Sequence, residues 1–254
     1  MKNLDSNFEI YTILAIIVAF ILCGSLIAWL FLSSKTRTLM LSYEGVVGPF
    51  FGLPAVLFSL TAALFATSIW ENYNSASRAI RNESQGILNL INLSENIPAL
   101  KKTDLIFLSK NYARSIVEDE WITLSGQSNP SPVTKDIFTQ LEKSIFDSGE
   151  NLNKMEFEAL VNAFLRINNA RETRLAFVTF DVHPIRWYAI LLLGVLVQIA
   201  VAFVHVLKPK ALIVTMVIAT ITVLIPISMI AFTFSSPYSG VIGISNHPYL
   251  EIFK

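Results

Sequence analysis

The sequence predicts an all-α polytopic membrane protein: four transmembrane helices, with a helical soluble segment between the second and the third. Three observations predict this class. Of the 254 residues, 53% are hydrophobic and only 15% are charged, whereas soluble domains carry about 25% charged residues. The apolar residues gather into four runs, 11–32, 46–70, 187–207 and 211–234, and none of these contains Asp, Glu, Lys or Arg. Each exceeds the ~18 apolar residues of a spanning helix, since roughly 20 residues at 1.5 Å each cross a ~30 Å hydrocarbon core. Between the second and third runs, apolar residues recur at helical spacing and strand alternation does not persist.

The first run follows Lys2, Asp5 and Glu9. It is too long for a signal peptide and lacks a small-residue cleavage site, and Leu22 before Cys23 is too large for a lipoprotein site. It reads as a retained anchor. The second run is expected to bend at its start, around Gly48-Pro49 and Pro54, because each proline removes a backbone hydrogen bond. Beyond Trp70 its helical pattern does not stop. Tyr73, Ser77, Ile80, Ser84, Ile87 and Ile91 continue one face, while Arg78, Arg81 and Glu83 point elsewhere. One helix of about 45 residues and ~70 Å therefore runs from the membrane to about Ser94. Trp70, Tyr73 and Trp187 are expected at the headgroup level, where amphipathic aromatics are favoured.

In the soluble segment, Thr103 and Asp104 start a helix carrying Leu105, Leu108, Tyr112 and Ile116. The stretch 125–132 is a loop by composition, and Thr134 opens a helix with Ile137, Phe138, Leu141 and Ile145. From Asn153 a further helix places Phe157, Leu160, Val161, Phe164, Leu165 and Asn168 on one side and extends to about Phe180. Pro184 is placed to start the third span. The expected organisation is a membrane hairpin over 1–70, an extramembrane domain over 71–186, a second hairpin over 187–234 and a tail over 235–254.

Orientation is open. The two short connections carry Lys35, Arg37, Lys208 and Lys210 against Glu44, a density that favours them as cytoplasmic, while the raw count of basic residues favours the opposite side.

Other classes are excluded by what is missing. Net charge is zero with no basic stripe, which argues against nucleic acid. The single cysteine, Cys23, permits no intramolecular disulfide and no multi-cysteine metal site. His183, His205 and His247 have no partners at metal spacing, and no catalytic or phosphate-binding motif occurs. The chain reads as a non-enzyme without cofactor or metal. Glu118, Asp119 and Glu120 span about 200° of a helix, cannot converge on one ion, and read as a solvated face.

Four constellations remain. Phe51, Phe58 and Phe65 are seven apart and form a stripe that either packs against helices and lipid or narrows a pore. Ala55, Ser59, Ala63 and Thr67 form a second stripe that lets another helix approach closely. Gln198 and His205 share a face of the third span; Gln198 is expected to bond across to a neighbouring helix, and His205 lies near the interface. Arg171 and Arg174, one turn apart, either pair with Glu71 and Glu83 or, together with Arg78, form a charged mouth that attracts anions.

The stretches "SIWENYNSASRAIRNES", "NYARSIVEDEW", "NNARETRL" and "SSPYSGVIGIS" resemble the bestrophin-like family of four-helix membrane proteins. The resemblance rests on Trp70, Glu71, Tyr73, Glu83, Tyr112, Glu120, Trp121, Arg171, Arg174, Pro237, Ser239 and Gly240, with Tyr238 standing where the family pattern suggests phenylalanine. Bestrophins are pentameric anion channels with a similar plan of two spans, a helical region and two spans. The resemblance thus implies a homo-oligomer, pentameric by analogy, in the lipid bilayer of a bacterial inner membrane. It also implies a small inorganic ion as ligand and a path lined by the second span. The alternative is a non-conducting anchor or sensor whose helical domain binds a partner protein.

Overall fold

The computed structural model describes residues 2–33, 38–39, 52–127, 129–177, 184–234, 238 and 243–253. Residues 46–51, with the expected bend at Gly48-Pro49, lie outside this set, as do Lys35, Arg37, Glu44, Pro237, Ser239 and Gly240. Among the described residues there is no strand. The chain divides into two units, 1–70 with 181–235, and 71–180 with 236–254.

The first unit is the membrane unit. Among the described residues, four helices are long and apolar enough to cross a bilayer: α1 (Lys2–Leu32), α2 (Gly52–Asn96), α7 (Pro184–Val204) and α8 (Pro209–Phe234). Large apolar side chains such as Leu22, Leu64, Tyr188 and Met229 face outward. That is a liability in water but the ordinary state of a surface solvated by lipid. Inside, Phe58, Ala62, Phe65 and Ile69 of α2 pack with Phe20, Ile190, Val197 and Val223. Ile27 and Phe31 of α1 meet Leu212 and Met216 of α8, so these two helices run antiparallel with the end of α1 beside the start of α8. α8 continues through Pro226 without interruption.

The second unit contains the extramembrane half of α2, then α3 (Leu105–Ser115), α4 (Trp121–Gln127), α5 (Pro132–Asp147), α6 (Lys154–Ala176) and the short α9 (His247–Leu250). α2 ends at Asn96 before a 3₁₀ turn at Pro98–Lys102, two residues beyond the expected stop. α5 opens two residues earlier than expected. Ser131 caps it by accepting from the Thr134 N–H, and Pro132 fills the first position, where its missing N–H costs nothing. α6 starts as expected, on a reciprocal cap in which the Glu156 N–H donates to Asn153 Oδ1 at 2.9 Å and the Asn153 N–H donates to Glu156 Oε2 at 3.0 Å.

The core of this unit is built from Ile80, Ile87, Leu90, Tyr112, Leu141, Leu160 and Ile167, all shielded from solvent. The tail is not separate from it: Ile244, Tyr249 and Ile252 are buried in the same core. α3 and α4 are joined through a π turn, Ile116–Glu120. Such a turn inserts one residue into the helical register and is frequent at functional positions.

Candidate functional site

The second unit holds a buried charge network assembled from α2, α3, the π turn, α6 and the tail. Glu83, on α2, has no solvent exposure and receives four hydrogen bonds from other elements. Arg174 Nε donates to its Oε2 at 2.6 Å, and Arg174 Nη2 donates to its Oε1 at 3.2 Å. The Tyr112 hydroxyl donates to Oε1 at 2.5 Å and the Tyr249 hydroxyl to Oε2 at 2.7 Å. Glu120 is equally buried and takes Arg174 Nη2 at 2.6 Å, Arg171 Nη2 at 3.0 Å and Arg171 Nη1 at 3.2 Å. Arg171 also donates to the Tyr112 hydroxyl at 3.1 Å and lies over the Phe138 ring at 5.2 Å. Tyr238 donates to the Arg174 carbonyl at 2.6 Å.

Local structure explains why these groups meet. Gly86, one turn after Glu83, lies against Ile167, one turn before Arg171, and a Cβ at Gly86 would come within 2.7 Å of Ile167 Cγ1. The missing side chain lets α2 and α6 approach closely enough for carboxylate and guanidinium to touch. The π turn turns Glu120 inward while Glu118 and Asp119 remain exposed. This corrects the expectation of a wholly solvated acidic face: three successive residues indeed diverge, so one of them points into the core.

Two carboxylates and two guanidiniums balance to zero, which is what makes burial tolerable; an unpaired buried charge would cost several kcal/mol. Burial works to raise the Glu83 carboxyl, but the Arg174 charge, with hydrogen bonds from Arg174, Tyr112 and Tyr249, outweighs it and holds the group below the ordinary carboxylate range. Burial and the neighbouring Glu83 push the Tyr112 and Tyr249 hydroxyls well up, so both stay protonated and act as donors. Burial would lower Arg174, yet the charge of Glu83, with Tyr249 and Glu120, raises it instead. Arg174 Nη1 is buried and makes no hydrogen bond among the described residues.

The expected site residues separate into several places. Glu83, Arg171 and Arg174 come together, but Glu71 and Arg78 are exposed and stand outside the network, with Arg78 Nη2 donating to Ser75 Oγ at 2.9 Å. Of the two readings of Arg171 and Arg174, the pairing is the one present, with Glu83 and Glu120 rather than Glu71 as partners. Their charge is neutralised in the core and does not face an aqueous opening.

For the aromatic stripe, helix packing is the alternative seen at the two rings the structure describes. Phe51 lies outside the described residues, and Phe58 and Phe65 are 5% and 4% exposed inside the membrane unit of a single chain. Phe65 meets Trp187 edge-on at 5.3 Å. Large rings gain most by filling the bundle interior, and Phe58 and Phe65 do so here. The outward side of α2 instead shows Ala55, Ser59, Ala63 and Thr67, all exposed.

Of the three aromatics expected at the interface, Trp70 is 58% exposed, Tyr73 packs on the core of the second unit, and Trp187 packs on the core of the first. In the membrane unit, Gln198 is buried. Its Nε2 donates to Thr220 Oγ1 at 3.1 Å and to the Phe20 carbonyl at 3.4 Å, while Oε1 has no partner among the described residues. Gly24 provides the space, since a Cβ there would fall 2.8 Å from Thr220 Oγ1. His205 Nδ1 donates to the Val201 carbonyl of its own helix at 3.0 Å. Among the described residues no cluster of His, Cys, Asp or Glu is placed to hold a metal.

Sequence reasoning missed Tyr249 and misjudged Glu120. Tyr249 sits in the tail, far along the chain from Glu83, and nothing local marks it. Glu120, however, was among the residues that carry the family resemblance, with Glu83, Tyr112, Arg171 and Arg174, and these are the groups the fold gathers. Trp121 is also there, edge-on to Tyr238 at 5.4 Å and to Tyr249 at 6.3 Å.

Comparison with known proteins agrees with this architecture. Among curated protein sequences none matches the chain. Among solved structures, a bacterial bestrophin homologue from Klebsiella pneumoniae carrying a tryptophan-to-alanine substitution is similar, with a TM-score of 0.68 and 12% identity over 94% of this chain and 95% of that one. A leucine-to-threonine variant of a Klebsiella pneumoniae homologue gives 0.66 and 13% over 93% and 98%. A further crystal structure, described as a membrane protein variant, gives 0.67 and 12% over 95% and 96%. At this identity the likeness establishes the fold. The model of the bestrophin-like domain matches residues 18–249, nearly the whole chain, and the protein therefore belongs to the bestrophin-like family.

Proposed function

We propose that the protein is an oligomeric channel that conducts small anions along a path lined by the outward face of α2. The observation that carries this reading is the composition of that face in the extramembrane half. Gln85, Asn89, Asn92 and Asn96 recur at spacings of four, three and four, and all are exposed. Glu71, Arg78, Gln85 and Asn92, each seven apart, continue the same stripe. A carboxamide offers two N–H donors and an acceptor without net charge. Rings of such groups replace part of an ion's hydration shell without trapping it, while Arg78 biases the field toward anions.

In the membrane half, the small stripe of Ala55, Ser59, Ala63 and Thr67 supports close approach of a second copy. The hydroxyls of Ser59 and Thr67 are satisfied by the Ala55 and Ala63 carbonyls at 2.8 and 2.9 Å, so this face suits either a neighbouring helix or a narrow path. Family membership and the bestrophin fold favour a channel over an anchor, and a bacterial inner membrane is the setting that goes with them.

The test is chloride flux from vesicles containing protein with Cys23→Ala as background. Modification of Asn92→Cys or Gln85→Cys by a negatively charged thiol reagent is expected to reduce flux, and modification of Phe58→Cys is expected to have no effect. Flux without sensitivity at either amide position would overturn the assigned lining. Absence of flux in every lipid and at every potential would favour the anchor or sensor reading.

A further inference from the structure

The membrane unit carries a feature that neither the charge network nor the proposed path uses. Between α1 and α8 lies an apolar groove of about 490 Å³, lined on one side by Gly24, Ala28 and Trp29 and on the other by Ile213, Val217 and Leu224. Its residues on α8 extend from Ile213 to Leu224, about 16 Å of helix at 1.5 Å per residue. That is about half of a ~30 Å hydrocarbon core, the depth of one leaflet. The small residues on α1 make the groove, and the smooth apolar floor suits a chain of methylenes.

The mouth of the groove differs chemically from its floor. Lys210, Val217 and Leu224 are seven apart, so the Lys210 side chain continues the stripe that forms one wall. Lys208 precedes it by two residues, and both lysines are exposed. Trp29, at the same end, is 67% exposed and presents an amphipathic ring, the side chain favoured at headgroup depth. No acidic residue occurs between Tyr11 and Ser33 or between Val204 and Phe234, so the apolar stretches that form the groove supply no carboxylate against these cations; Asp5 and Glu9 lie at the opposite end of α1. An apolar trough one leaflet deep, closed at one end by two cations and an indole, has the polarity of a single ligand class.

We infer that the α1–α8 groove is a binding site for an anionic phospholipid, with an acyl chain along Gly24, Ala28 and Val217 and the headgroup phosphate at Lys208 and Lys210. Cationic side chains beside a membrane surface attract anionic lipid, and the short reach of that attraction confines it to the mouth of the groove. A zwitterionic lipid offers the same phosphate but offsets it with its own ammonium, so an anionic headgroup is the better match to two lysines.

The experiment uses the full-length protein in vesicles and reads Trp29 fluorescence as the difference between the protein and its Trp29→Phe variant. The probes are phosphatidylglycerol and phosphatidylcholine with brominated acyl chains, which quench an indole on contact. The anionic probe is expected to reach half-quenching at about tenfold lower mole fraction than the zwitterionic one. Lys208→Gln with Lys210→Gln is expected to equalise the two probes. Val217→Phe, which fills the groove from its exposed side, is expected to weaken quenching by the anionic probe with the lysines intact. Equal quenching by both probes in the unmodified protein overturns the proposal, as does a preference that survives loss of both lysines. Absence of quenching by either probe would place another chain over the groove and overturn it equally.

Discussion

Replacing Glu83 by Gln should be among the most damaging single-atom-scale changes available in this protein. The substitution preserves shape but removes one of two negative charges from a network of four, leaving Glu120 alone against Arg171 and Arg174. Arg174 has no solvent exposure and cannot recover its hydration, and Arg171 is 6% exposed. Removing one partner of a fully buried pair costs about 3–5 kcal/mol, against a total stability of about 5–15 kcal/mol for a typical domain.

The readout is thermal unfolding in mild detergent followed by tryptophan fluorescence, in which Trp121 reports the second unit from beside Tyr238 and Tyr249. The Trp121 component should unfold at markedly lower temperature, while Arg78→Gln, on the exposed side, should stay within about 0.5 kcal/mol of the unmodified protein. A double replacement, Glu83→Met with Arg174→Met, leaves the Arg171–Glu120 pair balanced and should recover most of the loss, as exchanges of buried ion pairs for apolar groups often do.

The sign of the pH dependence follows from the lowered Glu83 carboxyl. Its stabilisation is complete above the unperturbed value of 4.5 and is lost as pH falls through the lower value of the folded state. Glu83→Gln should therefore flatten the acid limb of the stability profile. A variant as stable as the parent, with an unchanged acid limb, would refute the claim that this network holds the unit together.

Three further outcomes are expected. Tyr249→Phe removes a donor to a buried carboxylate and should cost about 1.5–3 kcal/mol, measured by the same unfolding assay; it should also raise protease sensitivity of the tail. Glu120→Ala should destabilise by several kcal/mol while Glu118→Ala stays within about 0.5 kcal/mol, and equal effects would contradict the inward turn of the π segment. Gly24→Val should place a side chain against Thr220 and Gln198, whose nearest atoms lie 2.8 and 3.0 Å from a Cβ there, and lower detergent stability by about 1–3 kcal/mol through overpacking.

Much of the architecture is a property of composition along the chain. Charge-free runs of spanning length place four helices in a bilayer because an unpaired backbone group or charge in hydrocarbon is costly, and this needs no partner to be read. The continuation of α2 to Asn96 was likewise legible, since Ile80, Ile87 and Ile91 keep a face that only a helix can bury together. The start of α6 at Asn153 was also legible, and the cap that fixes it is a contact between residues three apart.

What the sequence left open was direction. Phe58 and Ser59 are adjacent, and periodicity alone does not say which of their stripes meets the bundle interior and which meets a neighbour or a path. That choice depends on α1, α7 and α8, whose packing supplies the cavity the rings fill. Glu120 and Tyr249 belong to the same class of problem. Their burial is worth its desolvation cost only because Arg171, Arg174 and Glu83 arrive from elements 37 to 166 residues away in sequence. Charges so distant along the chain carry no local signature, and only the tertiary structure, by bringing four of them to zero net charge in one core, decides that they are buried at all.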